Sequence, residues 1–200
     1  MFDYAKTIGN IAIRWNLLEV GYHEVFSPYL QLDKSTEAAI LNLLGSSQKS
    51  KLLEFLARNR EDNPHAREHL LHLGKMVNIV EENRNVVEHG LPKNAIYTPN
   101  KTLFVGPYDG TIFKRAQTGK IVPWKATKTD LRRVLSDINH THAYIMKINE
   151  AQARRIVEAS APKKWRGETH RVLFASLRKP PLPLRLASHP PVPIPTEDQN

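Results

Sequence analysis

The 200-residue sequence contains no cysteine, which excludes disulfides, Cys-ligated zinc, iron–sulfur clusters and thiol nucleophiles. It also lacks an apolar run of the roughly 18 residues that a membrane helix needs. Its first residues do not have the basic-then-apolar layout of a signal peptide. There is no Gly-rich phosphate loop, Gly-x-Ser-x-Gly or His-Glu-x-x-His, so most nucleotide-cofactor and hydrolase functions have no support. We therefore expect a cytoplasmic protein without a membrane segment.

The net charge of +9 is concentrated in two stretches. Residues 101–133 carry eight Lys and Arg against two Asp and Glu, and residues 159–200 carry seven against three. Residues 1–100, in contrast, are almost neutral, with eleven against twelve. A localised basic surface favours a polyanion such as RNA, DNA or acidic lipid as partner. The alternative is an ordinary solvated basic face.

Apolar residues at helical spacing predict helices over most of the first 90 residues. The first helix is expected over residues 4–30, bent or ended by Pro28. Others are expected from Ser35 to Gly45, from Ser46 or Ser47, and from Pro64 to about His89. The first helix carries an a/d stripe of Ile8, Ile11, Trp15, Leu18, Tyr22, Val25 and Tyr29. Such a stripe packs either against a second copy or in the core of its own chain.

The second half of the chain changes character twice. β-forming residues broken by Asp109-Gly110 predict a small β-hairpin insertion over about residues 94–125. Thr127 and Asp130 form a capping-box pattern that opens a last helix. Eight of the 14 prolines fall in residues 159–200, which we therefore expect to be a disordered basic tail after a helical domain of residues 1–158. Within that tail, the P-x-x-P form of residues 180–185 is one that polyproline-binding domains recognise.

An arginine interrupts the apolar stripe of the helix that ends near His89. The stripe continues in register through Arg84, and its other members are Leu70, Leu73, Val77, Val80 and Val87. A guanidinium in such a position needs an anionic partner, water or a cleft. A structural ion pair with Glu81 or Glu88 and a functional role for Arg84 are both open.

Arg84, Asn85 and His89 close this helix, followed by Gly90. The pattern resembles the R-x4-H motif of the HEPN superfamily, which consists of helical, often dimeric, RNA-cleaving domains. The chain is also similar to uncharacterised bacterial HEPN-like proteins, whose long first helix carries an aromatic residue and a Glu, here Trp15 and Glu19. The resemblance covers about residues 4–150. It implies a mostly α fold, an antiparallel bundle of four to five helices with the β-hairpin inserted.

The resemblance implies a metal-independent endoribonuclease without a cofactor, which cleaves RNA by attack of the 2′-hydroxyl. His89 would act as base or acid, Arg84 would bind phosphate oxygens, and Asn85 would orient His89. Arg84 and His89 are about 140° apart around an ideal helix, so one helix cannot direct both at one phosphate. Family members bring two motifs into a shared cleft, which predicts a homodimer. An antitoxin or another protein partner is compatible with this assignment.

Basic residues flank the aromatic residues of the insertion, Tyr108, Phe113 and Trp124. This pattern suits single-stranded nucleic acid, and the predicted binding residues are Lys114, Arg115, Lys120, Lys125 and Lys128. Core aromatic residues with surface lysines are the alternative.

Two groups of histidines are candidates for other roles. His65, His69 and His72 share a helical face at a spacing that can hold zinc. We predict a solvated polar face and no metal, because no further ligand is identifiable. His140 and His142 are expected at the surface or as buried, hydrogen-bonded side chains.

Three functions are therefore open. The first is the endoribonuclease. The second is a non-catalytic HEPN-like dimer that binds nucleic acid or a partner protein, in which Arg84 and His89 hold the helix end together. The third is a scaffold whose tail recruits partners.

Overall fold

A computed structural model describes residues 4–88, five short strands between residues 91 and 125, residues 127–160 and residues 169–186. This part of the chain is mostly helical, as the sequence predicts. The helices are α1 Tyr4–Glu24, α2 Ser27–Leu30, α3 Lys34–Leu43, α4 Ser46–Arg60, α5 Pro64–Glu88, α6 Lys128–Ser160 and α7 Thr169–Ser176. The strands are β1 Leu91–Pro92, β2 Ala95–Thr98, β3 Lys101–Phe104, β4 Thr111–Arg115 and β5 Ile121–Lys125.

Pro28 divides the predicted first helix into two. α1 ends at Glu24, four residues before the proline, because a proline ring clashes with the carbonyl of residue i−4 and donates no backbone hydrogen bond. α2 then starts with Pro28 in its first turn, where no intrahelical donor is needed.

Side chains cap the helices where the sequence provides acceptors. The capping box of α6 is confirmed: the Thr127 backbone N–H donates to the Asp130 carboxylate at 3.0 Å, and the Asp130 N–H donates to the Thr127 hydroxyl at 3.1 Å. The cap predicted for α3 is wrong. Asp33 accepts from the backbone N–H of Thr36 at 3.0 Å and takes the place expected for Ser35, because the helix begins at residue 34.

The core lies where α1, α5 and α6 pack together. α1 runs antiparallel to α5, since Trp15 lies beside Arg84 near one end and Tyr29 contacts Glu61, just before α5, near the other. The stripe predicted for the first helix is buried in this core through Ile11, Trp15, Leu18 and Tyr22 of α1, Val25 after it and Tyr29 of α2. The α6 residues buried in the same cluster include Leu131, Val134, Ile138, Ile145 and Ile148. The stripe therefore packs within its own chain and is not available to a second copy.

The strands form two sheets. β4 pairs antiparallel with β1 and β5, and β2 pairs antiparallel with β3. β3 and β4, on either side of Asp109-Gly110, belong to different sheets, so the strands that flank this dipeptide do not pair as the sequence predicted. The dipeptide itself lies outside the described residues.

The prediction of a disordered tail is wrong for residues 169–186. α7 packs on α5 and α6, and Phe174 and Leu186 belong to the hydrophobic core cluster. The tail has too little apolar surface to fold alone, but α5 and α6 supply the surface against which these two side chains are buried. Residues 161–168 and 187–200 lie outside the described residues.

Candidate functional site

The C-terminal half of α5 carries Arg84 in a stripe that is otherwise buried. Leu70, Leu73, Val77, Val80 and Val87 are in the core, as the sequence predicts, and Arg84 is half-buried. Its guanidinium carbon lies 5.7 Å from the ring centroid of Trp15 on α1. This distance is within the range of a cation–π interaction. The indole face therefore explains how a charged side chain fits an apolar register.

Asn85 provides a second contact for Arg84. The Arg84 Nη1 donates to the Asn85 Oδ1 at 2.9 Å. The amide that is predicted to orient His89 positions the arginine through this hydrogen bond. His89 and Gly90, and with them the predicted contact between Asn85 and His89, lie outside the described residues. The structure brings together three of the candidate residues, Trp15, Arg84 and Asn85.

Glu19, one turn along α1 from Trp15, pairs with a lysine of α4. The Lys49 Nζ lies 3.3 Å from the Glu19 Oε1, and the lysine side chain is only 5% exposed. A buried ammonium is costly unless it is paired. Glu19 therefore has a structural role as the counter-ion of Lys49.

A second set of polar side chains lies between α1, α4 and α5. The Tyr22 hydroxyl lies 3.5 Å from the Ser50 Oγ, which donates to the Asn78 Oδ1 at 2.8 Å. Burial raises the pKa of Tyr22, and the charge of Glu81 raises it further, so Tyr22 stays a neutral donor. Sequence reasoning missed this network. The signal that could have revealed it is the pair Lys49-Ser50, which falls in the buried face of α4.

Three of the five basic residues predicted to bind nucleic acid lie in one pair of hydrogen-bonded strands. Lys114 and Arg115 are in β4 and Lys125 is in β5, and these two strands pair along their length. Lys128 is the exposed first residue of α6. Lys120 lies outside the described residues.

Two of the α5 histidines contact the tail. His69 is buried: its Nε2–H donates to the Phe174 carbonyl at 3.0 Å, and its Nδ1 accepts from the Tyr144 hydroxyl at 2.5 Å. The His72 Nε2–H donates to the Pro180 carbonyl at 2.7 Å. The prediction of a solvated polar face is therefore wrong for these two residues, because the docked tail covers them.

The other candidate histidines are His65, His140 and His142. His65 and His140 are exposed, and His142 is half-buried beside Gly21. Within the described residues, no group of three His, Asp or Glu side chains is placed to hold a metal ion.

No family model, no curated protein and no solved structure matches this chain. The resemblance to HEPN domains therefore rests on the residues named above. In the part of the chain that the structure describes, every helix is too short or too polar to cross a bilayer.

Proposed function

We propose that the C-terminal end of α5 binds RNA and that two chains together cleave it without a metal. The observation that carries this proposal is the placement of Arg84, which the Trp15 ring and the Asn85 amide hold at the helix end. The cation–π contact with Trp15 and the hydrogen bond to Asn85 fix the position of the guanidinium at the end of α5. A positioned arginine of this kind suits phosphate oxygens.

The motif supplies the groups that the reaction needs. The ribose 2′-hydroxyl loses a proton and attacks the adjacent phosphorus, and the 5′-oxygen leaves with a proton. His89 would serve as base or acid, since imidazole titrates near neutral pH. Arg84 would stabilise the dianionic phosphorane. The products would be a 2′,3′-cyclic phosphate and a 5′-hydroxyl end.

A second copy would complete the cleft, because Arg84 and His89 diverge by about 140° around one helix. The core stripe of α1 cannot join two copies, but α1 has another apolar stripe on its outer side. Ile13, Leu17 and Val20 follow each other at steps of four and three and are all exposed. A second copy would pack on this exposed stripe of α1.

The strands that follow α5 would guide the RNA. β4 and β5 carry Lys114, Arg115 and Lys125 in one antiparallel ladder, within the most basic stretch of the chain. Their contribution would be electrostatic, so RNA affinity should fall steeply as salt rises.

The test is cleavage of total RNA in the presence of EDTA. We expect wild type to produce 5′-hydroxyl ends, and His89→Ala to lower the rate about 10²- to 10⁴-fold, the usual contribution of a general acid or base. Arg84→Lys should also lose activity, because lysine lacks the planar fork. His65→Ala, an exposed histidine on the same helix, is the matched control and should cleave like wild type. Cleavage that persists in His89→Ala or stops with EDTA would contradict the proposal.

The alternative is a non-catalytic domain that binds RNA or a protein partner. The contact between Arg84 and Trp15 favours it, because this contact joins the end of α5 to α1 and is useful without any reaction. In that case wild type would shift RNA in a gel without cleaving it. Arg84→Ala would still lower the free energy of unfolding by about 0.5–2 kcal/mol through the lost cation–π contact, and His89→Ala would leave binding unchanged.

A further inference from the structure

Residues 180–186 lie along α5 with a period of three. Pro183 and Leu186 are buried and Pro180 is half-buried, whereas Leu182 and Leu184 are 43% and 66% exposed. Three residues per turn is the period of a polyproline II helix. Residues 177–185 belong to no helix or strand, which agrees with a segment of this kind.

Side chains of α5 hold the main chain of this segment. Besides the hydrogen bond from His72 to the Pro180 carbonyl, the Asn83 Nδ2 donates to the Leu184 carbonyl at 2.9 Å. The Asn83 Oδ1 accepts from the Leu186 N–H at 2.8 Å, and Asn83 is only 1% exposed. A polyproline II segment has no internal hydrogen bonds, so its partner must supply them. Main-chain recognition together with pockets for spaced side chains is how proteins bind extended peptides.

Two ion pairs mark the ends of the docked segment. Lys179 pairs with Glu68 at 2.6 Å, and Arg185 pairs with Glu82. Two residues 14 positions apart on a helix are separated by ~21 Å along its axis, and two residues six positions apart in polyproline II by ~19 Å. The acidic residues of α5 are therefore spaced for the basic residues of an extended proline-rich segment.

We propose that this face of α5 is a recognition site for basic polyproline II peptides of the pattern Lys-Pro-x-x-Pro-x-Arg-Leu. Residues 179–186 are its resident ligand, and the same segment of a second copy can take their place. None of the contacts requires that groove and segment belong to one chain, and every copy presents the complete pattern. The segment of the same chain has the advantage of a high effective concentration. Binding of a segment from a second copy can therefore be measured only after the chain's own segment has left the groove.

A peptide titration tests the groove. In full-length Leu186→Asp a charge replaces the buried anchor, so the tail should leave the groove. A fluorescent peptide of residues 177–187 should bind this variant at least ten-fold more tightly than wild type. Leu184→Asp is the matched control: it makes the same change at an exposed position, keeps the tail docked and should bind like wild type. Circular dichroism checks the fold. If Leu186→Asp does not fold, the double variant Lys179→Glu/Arg185→Glu takes its place. It removes both ion pairs at exposed positions and should also release the tail from the groove.

Two further variants test which contacts carry the binding. Adding Asn83→Ala to Leu186→Asp should weaken peptide binding at least ten-fold. A peptide with Pro180→Gly and Pro183→Gly should also bind at least ten-fold more weakly. The proposal is overturned if the folded, vacated chain does not bind the peptide, or if it binds equally well with Asn83→Ala. Equal binding of a proline-rich peptide without Lys and Arg would overturn the assigned pattern.

Complementation between two full-length variants tests exchange between copies. Asn83→Ala leaves a chain with a released but intact tail, and Leu186→Asp leaves a chain with an empty but intact groove. Mixing them should produce, by light scattering, a complex that neither variant forms alone. If mixing adds no such species, exchange between copies is excluded. The peptide titrations and the mixing experiment use no RNA, so their outcomes are independent of the proposed nuclease activity.

Discussion

α5 is held on two sides by different means. Toward α1 and α6 it contributes a stripe of aliphatic side chains to the core, whereas toward the tail it contributes His72 and Asn83, which bind main-chain groups. The first side depends on close packing of apolar volume. The second depends on hydrogen bonds and on anchors spaced by three residues. The comparison shows that one helix can be a core element on one side and, on the other, a docking surface for an extended segment of its own chain.

Leu73→Ala should produce the largest effect on the packing side. Leu73 is fully buried in the core, so the substitution removes apolar contacts and leaves a cavity. We expect a loss of about 2–5 kcal/mol in the free energy of unfolding, measured by urea denaturation. Leu43→Ala, at a residue 85% exposed on α3, should stay within about 0.5 kcal/mol of wild type. Equal losses in the two variants would show that the stripe does not carry the fold.

Asn83→Ala should produce a smaller and more local effect on the tail side. It leaves the Leu184 carbonyl and the Leu186 N–H without their partner, which costs about 1–3 kcal/mol. Amide exchange and proteolysis should increase in residues 177–186, while unfolding of the helical body changes less than in Leu73→Ala. The control is Asn59→Ala on the exposed side of α4, which should leave the tail protected. Global unfolding with no local release would contradict the distinction between the two sides.

Acidification should give the smallest effect, and its sign follows from His69. Burial is the largest cause that lowers the pKa of His69 in the folded chain, whereas the unfolded chain has the ordinary value near 6.5. The unfolded state therefore binds more protons below about pH 6.5, so stability is complete above that pH and falls as the pH is lowered. Thermal unfolding from pH 8 to pH 5.5 should show this loss.

Two variants isolate the contribution of His69, since burial also lowers the pKa of His23. His69→Gln should reduce the dependence of stability on pH over this range. His65→Gln, at an exposed position on the same helix, should keep the dependence of wild type. An unchanged pH dependence in His69→Gln would show that the contact between α5 and α7 does not titrate.

Local features of the sequence predicted much of the helical framework. Pro28 ended α1, and Thr127 with Asp130 capped α6, because these effects act within one turn of the chain. Of the candidate site, the sequence placed Arg84 in an apolar stripe but not beside Trp15. The contact between them depends on how α1 packs on α5, and periodicity within either helix carries no information about it.

The prediction of a disordered tail was wrong because it considered the segment without the rest of the chain. A segment rich in proline and poor in apolar residues cannot bury enough surface by itself to remain ordered. That argument does not apply once another element supplies the surface, as α5 does for Pro183 and Leu186. Two histidines and one asparagine of α5 bind the tail. Their role can be recognised only once the structure places the tail beside them.

By itself, the sequence determined the helical class, the register that places Arg84 in the α5 stripe, and the three-residue spacing of Pro180, Pro183 and Leu186. These features repeat within a few residues and follow from backbone geometry. Only the tertiary structure decided that the α1 stripe is internal and that the tail docks. The hydrogen bond between Asn83 and Leu186 joins residues 103 positions apart, and a contact over that separation depends on the packing of every helix between them.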